Sequence, residues 1–261
     1  MLSFEKVVIA PQIVIYKNIF KNSRELINIL ETDKEGSLFC NWHNWYEQGL
    51  RKEAVFDLSN NSKFNSENIE SVYMKDLCEI FNFIHKDYFE QWGSHDYLWP
   101  DFISDWEKLK AEKTYFEIDY FKYDLNKIGE MENGEMLSDY HVDENLLPNV
   151  PHPFRHIVTT NIYLNDNYEG GELCAYDDTS KQSYMYKPSP GDAIIMPSMR
   201  PFYHGAKSFY NSDRYFLRTF NNYEVFIEED FAFEEKMLIE QEYIKNHLQT
   251  IKVNSNEIVI K

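Results

Sequence analysis

The chain has 261 residues, 43% of them hydrophobic and 16% aromatic, enough apolar material to bury a full core in one large domain or two small ones. Its formal net charge of −18 sets it against nucleic-acid phosphates and anionic lipid heads, so neither nucleic acid nor a membrane surface is expected as a partner. The three cysteines, Cys40, Cys78 and Cys174, are far apart and form no C-x-x-C pair. That spacing excludes a zinc knuckle or redox dithiol and suits reduced thiols in a cytoplasmic protein.

Residues 1–6 lack the charged region and long apolar run of a signal peptide, and no run of 18 apolar residues occurs, so no membrane span is expected. Residues 7–16 are rich in Val and Ile and are broken by Pro11, which predicts a strand pair or an interrupted edge strand. A helix is expected from Asn22-Ser23, with Leu26, Ile27, Ile29 and Leu30 at helical spacing through Glu31. The aromatic stretch 39–50, with Trp42, His43, Trp45 and Tyr46, has no clear period and reads as a lid or a packed loop. From Ser66 the pattern Glu70, Val72, Leu77, Ile80, Phe81 and Ile84 predicts an amphipathic helix to about Trp92. Pro100 opens another helical stretch to about Lys110.

Beyond Lys113 the period changes from helical to two. Tyr115, Glu117, Asp119 and Phe121 alternate with Phe116, Ile118, Tyr120 and Lys122. Further strands are expected at 136–143, 155–165, 171–176, 183–187, 192–197, 201–207 and 213–221. Turn signals separate several of them, among them Asn165-Asp166-Asn167, Gly170-Gly171, Pro188-Ser189-Pro190-Gly191 and Asn211-Ser212-Asp213. A helix over about 228–248 and an apolar tail close the chain. The expected fold is mainly β with flanking helices: a jelly roll, or double-stranded β-helix, buttressed by N-terminal helices and a C-terminal helix. One domain over 1–261 is expected, with helical support and a possible lid in 1–113, a jelly-roll core in 114–221, and a helix and tail in 222–261.

His141-Val142-Asp143 is the sharpest local feature. In a strand, residues i and i+2 point to one face, so an imidazole and a carboxylate are aimed together. His204, in a strand-like segment after Gly191-Asp192, is the best third ligand. Two His and one carboxylate on one face leave open positions, the ligation pattern of non-haem Fe(II) oxygenases. An H-x-D triplet alone is weak, since such triplets also arise by chance. His43, His85, His95 and His247 have no comparable context, and His152 and His156 are second choices.

The order of motifs around the triplet resembles the prolyl-4-hydroxylase-like branch of the Fe(II)/2-oxoglutarate-dependent oxygenase superfamily. Phe121-Lys122-Tyr123 precedes His141-Val142-Asp143; Asn161-Ile162-Tyr163-Leu164-Asn165 leads to Gly170-Gly171-Glu172-Leu173. Pro190-Gly191-Asp192-Ala193, His204 and Arg214-Tyr215-Phe216-Leu217 follow. The entry segment 13–20 is similar more loosely, while 35–110 matches nothing in the family. The resemblance implies that His141, Asp143 and His204 hold Fe(II). It implies that Arg214 pairs with the distal carboxylate of 2-oxoglutarate, a role that suits a permanently charged planar fork. Arg218, four residues on, is its rival; Tyr123 and Tyr163 match tyrosines that hydrogen-bond the co-substrate, and Thr160 is a weaker candidate. Gly170 and Gly171 are turn glycines rather than contacts. O2 is the implied oxidant, with ascorbate as a reductant. The implied reaction is hydroxylation of an unactivated C–H bond with release of succinate and CO2. Related halogenases carry a small residue at the carboxylate position, so Asp143 implies hydroxylation instead.

The substrate is open between an amino-acid residue in a peptide or protein and a free amino acid or other small molecule; Glu117 and Asp119 are candidates to hold an ammonium group. Two further classes stand beside these. A non-enzymatic jelly-roll binding protein would need neither triad nor Arg214, and a cupin-like enzyme with another metal would need no 2-oxoglutarate arginine. Oligomeric state is not legible.

Overall fold

The computed structural model describes residues 4–10, 12–32, 42–45, 49–53, 72–92, 118–128, 136–143, 154–198, 202–224, 242 and 257–260. Its strands are β1 (Glu5–Ala10), β2 (Ile13–Lys17), β3 (His43–Trp45), β4 (Gly49–Glu53), β5 (Ile118–Tyr123), β6 (Met136–His141), β7 (Phe154–Tyr163), β8 (Glu169–Gly170), β9 (Leu173–Asp177), β10 (Gln182–Tyr186), β11 (Ala193–Pro197), β12 (Phe202–Lys207), β13 (Phe209–Tyr210), β14 (Arg214–Glu224) and β15 (Glu257–Ile260). The helices are α1 (Ser23–Thr32), α2 (Val72–Trp92) and the single turn α3 (Leu125–Ile128). Among the described residues no helix is long and apolar enough to cross a membrane.

The strands form a large sheet in the order β1-β2-β11-β7-β14-β5-β4-β3, a smaller one in the order β15-β10-β9-β12-β6, and a short β13-β8 ribbon. The fold is mainly β, a double-stranded β-helix with helices against one sheet. The large sheet is buried on both faces, which is why β2 and β11 are continuously apolar rather than alternating. Val14, Tyr16, Ala193 and Ile195 pack with Leu26 and Leu30 of α1 and Leu77, Ile80, Phe81 and Ile84 of α2. Their neighbours Ile13, Ile15, Ile194 and Met196 turn the other way, toward Leu137, Leu173, Ala175 and Phe202 of the smaller sheet. That second core lies between the sheets and surrounds the site.

The expected strand pair around Pro11 is the β1–β2 hairpin. The unassigned aromatic stretch is strand rather than loop at 43–45 and 49–53. Residues 43–45 and 49–53 form a hairpin that extends the large sheet beyond β5. Its short strands carry no two-period pattern, so their pairing to β5 was not readable locally. The apolar tail is also a strand: β15 runs parallel to β10. The helix expected at 100–110, that at 228–248 apart from the single helical residue Glu242, the helix start at Ser66, and Cys40 lie outside the described residues. Cys78 and Cys174 form no disulfide among the described residues.

The P-G-D-A turn joins the sheet to its entry strand. Gly191 has φ +86°, and a Cβ there would lie 2.1 Å from the Phe20 carbonyl oxygen, so only glycine fits without rearrangement. The Asp192 carboxylate accepts from the Asn18 amide at 2.7 Å, the Ser189 amide at 2.9 Å and the Tyr186 hydroxyl at 2.5 Å. Asn165 has a similar duty: its amide donates to the Asp213 carbonyl at 2.7 Å and its oxygen accepts from the Tyr215 amide at 2.8 Å. The end of β7 is thereby tied to the start of β14, where Arg214 stands.

Candidate metal and anion site

β6 and β12 pair antiparallel with His141 directly opposite His204. Directly opposed residues share a face, so the two imidazoles meet, with ring centroids 4.4 Å apart. The face is the inner one: Leu137 and Phe202, at even spacing from these histidines, line the core between the sheets, while Tyr140 and Tyr203 pack on the outside. Asp143 lies two residues past the end of β6, not within the strand as the sequence pattern implied. Its Oδ2 is 3.1 Å from His204 Nε2, and its Oδ1 is 3.6 Å from His141 Nε2. One ligand atom from each of the three residues falls within 4.8 Å of the others, a set that can hold a metal ion. Side-chain exposure grades the set: Asp143 7%, His204 8% and His141 42%, so solvent reaches it from the His141 side.

The electrostatics suit cation binding. Burial works to raise the Asp143 pKa, but His204, hydrogen bonds with His141 and His204, and the Arg218 charge outweigh it and hold the carboxyl well below its ordinary value. The His204 pKa is lowered, by burial first, with Asp143 opposing. An ionised carboxylate and a neutral imidazole are the forms that ligate metals. Ser138 Oγ lies 3.3 Å from His141 Nδ1, leaving Nε2 directed at the cluster.

Arg214 occupies a second part of the same interior. It stands opposite Tyr123 on β5, only 2% exposed. Its guanidinium carbon lies 5.3 Å from the Tyr163 ring centroid, 5.8 Å from Tyr168 and 5.9 Å from Tyr123. Burial opposes its charge, the three tyrosines uphold it, and its pKa ends above the ordinary value. No carboxylate of a described residue pairs with it, and its Nε has no hydrogen-bond partner among them. Asn161 Oδ1, on the same inner face of β7, is likewise a buried acceptor without a partner among the described residues. A buried guanidinium without a counter-ion costs several kcal/mol, roughly, and persists where an anion is to be bound.

Arg218 takes a different place from Arg214. Four residues apart on one strand, the two are separated by about 13 Å of backbone. Arg218 Nη1 lies 3.8 Å from Asp143 Oδ1, and its guanidinium sits over the rings of Phe121 and Phe220. Arg218 therefore flanks the triad, and Arg214 lies apart from it, buried among the rings of Tyr123 and Tyr163. Thr160 is not brought to either. Its side chain faces the helices, with Oγ1 2.9 Å from His85 Nε2 of α2. Its neighbours Thr159, Asn161 and Tyr163 take the inner face.

Several residues of the site escaped sequence reasoning. Thr159 Oγ1 donates to Asp143 Oδ2 at 2.7 Å and lies 2.8 Å from Ser198 Oγ. Tyr168 covers Arg214 and is itself held by Lys187, whose Nζ sits 3.7 Å from the Tyr168 ring centroid and donates to the Tyr168 and Gly170 carbonyls. Counting by twos back from Tyr163 would have found Asn161 and Thr159; nothing local marks Ser198, Tyr168 or Lys187.

Residues 127–222, a span that holds His141, Asp143, His204 and Arg214 but not Tyr123, match the model of the 2OG-Fe(II) oxygenase superfamily. No curated protein matches the chain. Similar solved structures include a prolyl hydroxylase from Trichoplax adhaerens in complex with a hypoxia inducible factor oxygen degradation domain peptide fragment, at 15% identity and TM-score 0.49 over 81% of this chain and 84% of that one. A Pseudomonas putida prolyl-4-hydroxylase is similar at 11% identity and TM-score 0.49, over 81% of this chain and 92% of that one. The viral collagen prolyl hydroxylase of Paramecium Bursaria Chlorella virus-1 is similar at 11% identity and TM-score 0.45, over 81% and 95%. The matched span is the β block that carries the three ligand candidates and Arg214, and over that block the chain is similar to the 2OG-Fe(II) oxygenase superfamily.

Proposed function

We propose that the chain is a single-domain Fe(II)- and 2-oxoglutarate-dependent hydroxylase of the prolyl-4-hydroxylase-like branch, acting on an amino-acid residue in a peptide or protein. The observation that carries this reading is the buried Arg214, without a counter-ion among the described residues, in the same interior as the His141, Asp143 and His204 cluster. A metal site alone fits many reactions. A metal site with a deep, tyrosine-lined cation fits a chelating dicarboxylate that reaches from one to the other.

In this reading His141, Asp143 and His204 hold Fe(II), the donor set such an ion takes when it must keep positions open. Arg214 pairs with the distal carboxylate, and Tyr123 and Tyr163 wall its chain. Tyr168 and Lys187 close the pocket from behind and keep water from the guanidinium. With Fe(II) bound, 2-oxoglutarate and O2 supply the oxidising power for C–H hydroxylation, giving succinate and CO2. The protein orients the co-substrate and leaves the exposed His141 side open to the molecule being hydroxylated.

A free amino acid is the second reading. Asp119 is buried on the inner face of β5 opposite Arg218, so an acid and a base lie beside the triad as a zwitterion requires. Glu117, the other candidate for an ammonium contact, lies outside the described residues.

Incubation with Fe(II), 2-oxoglutarate and ascorbate tests the proposal. Succinate should form, and mass spectrometry across peptides and free amino acids should find a gain of one oxygen in one class. Asp143→Ala should abolish both signals. Turnover near wild type in that variant would refute the ligand assignment.

A further inference from the structure

We infer that Ser198 and Thr159 form a directional hydroxyl relay that positions the Asp143 carboxylate for metal capture, which makes Thr159 a positioning residue of the site. The inference rests on the proposed reading of His141, Asp143 and His204 as the iron ligands.

The two histidines are fixed by the β6–β12 ladder, since each lies within a strand and opposite the other. Asp143 is not. It lies beyond the last residue of β6, so backbone pairing does not set its direction. Its anchors come from the opposite sheet instead. Thr159 of β7 reaches across the interior to Oδ2 at 2.7 Å, and Arg218 of β14 stands 3.8 Å from Oδ1. The short contact is the hydroxyl.

The proton count gives the relay its direction. An ionised carboxylate only accepts, and a threonine hydroxyl has one proton. Thr159 spends that proton on Asp143, so in the 2.8 Å contact with Ser198 it must accept, and Ser198 must donate. Each bond polarises the next and strengthens the hold on the carboxylate. Thr159 and Ser198 are fully buried, so water does not compete for either hydroxyl. Ser198 directly follows β11, whose last residue, Pro197, pairs with Val158 of β7, so the sheet itself fixes the distance between the two hydroxyls.

Groups that orient a metal ligand without touching the metal affect affinity by roughly 10–100-fold. The test is titration of the metal-free full-length protein with Co(II), followed by the visible absorption of the bound ion, without co-substrate and without turnover. Wild type should bind one equivalent. Thr159→Val, which keeps the shape and loses the hydroxyl, should weaken binding roughly tenfold or more. Thr159→Ser should restore it, and Ser198→Ala should weaken it by a smaller factor. A merely structural threonine would lower the melting temperature of the valine variant and leave Co(II) affinity unchanged; that result, or failure of serine to rescue, overturns the relay. If Thr159→Val does not fold, Ser198→Ala decides: weakened binding supports the relay and wild-type affinity overturns it. Wild type that binds no Co(II) overturns the metal reading as well, whereas wild type and valine variant binding equally overturn the relay alone.

Discussion

His85 and Arg214 show two ways in which this chain buries an ionisable side chain. His85 is packed behind the large sheet between Phe81 and Phe89, with Nε2 2.9 Å from the Thr160 hydroxyl, and burial pushes its pKa down to about 3. Between that value and the ordinary 6.5 the unfolded chain takes up a proton that the folded chain does not. Stability contributed by the neutral ring is therefore present above about pH 6.5 and is lost as pH falls toward 3. Chemical denaturation across that window should show a slope in stability that His85→Gln reduces by up to one proton's worth. An unchanged slope would mean that His85 is already protonated in the native state. Arg214 cannot escape by losing its charge. Its burial calls for an anion from outside the described residues, which is the ground for the role proposed for it. Thr160 was misassigned for a related reason. It neighbours the inner-facing residues in sequence, but a strand turns alternate residues to opposite faces, and the helix histidine claims it.

At the scale of elements, legibility followed period and punctuation. The strands from β5 to β14, apart from the two-residue β8 and β13, were recognisable because short apolar runs are separated by turn residues with a mechanical reason to be there. Gly191 is the clearest case. Its left-handed φ costs a residue with a Cβ about 1–3 kcal/mol, before the 2.1 Å approach to the Phe20 carbonyl is counted. Gly191→Ala should lower the unfolding free energy by at least that amount, and a neutral result would show that the β2–β11 junction relaxes freely. The β3–β4 hairpin and β15 were not legible because their pairing is long-range: a three-residue strand and a short apolar tail carry too little pattern to name a partner. The same limit hid Ser198 and Tyr168, which reach the site only because distant strands bring them there. The H-x-D triplet shows the converse. The spacing suggested one strand holding both ligands, whereas the strand ends at His141 and Asp143 is held from across the sandwich.

At the scale of the whole molecule, the two sheets divide the work. The smaller sheet carries the histidines on β6 and β12. The larger carries Arg214 with Tyr123 and Tyr163, and reaches over with Thr159 and Arg218 to hold Asp143. Helices α1 and α2 pack behind the large sheet and stiffen its inner face. The net charge of −18 makes the buried Arg214 more telling, because it lies without a counter-ion among the described residues, with the Lys187 ammonium behind Tyr168, in an acidic chain. Such a distribution draws a small dianion inward. The central claim is that triad and arginine form one site for a metal-chelating dicarboxylate. Calorimetric titration of the Mn(II)-loaded protein with 2-oxoglutarate, without oxygen, tests it most directly. One equivalent should bind, binding should fall away when the metal is removed, and Arg214→Met should weaken it roughly a hundredfold, in keeping with loss of one partner from a buried charge pair. Binding of 2-oxoglutarate that is indifferent both to the metal and to Arg214, or no binding at all, would contradict the account.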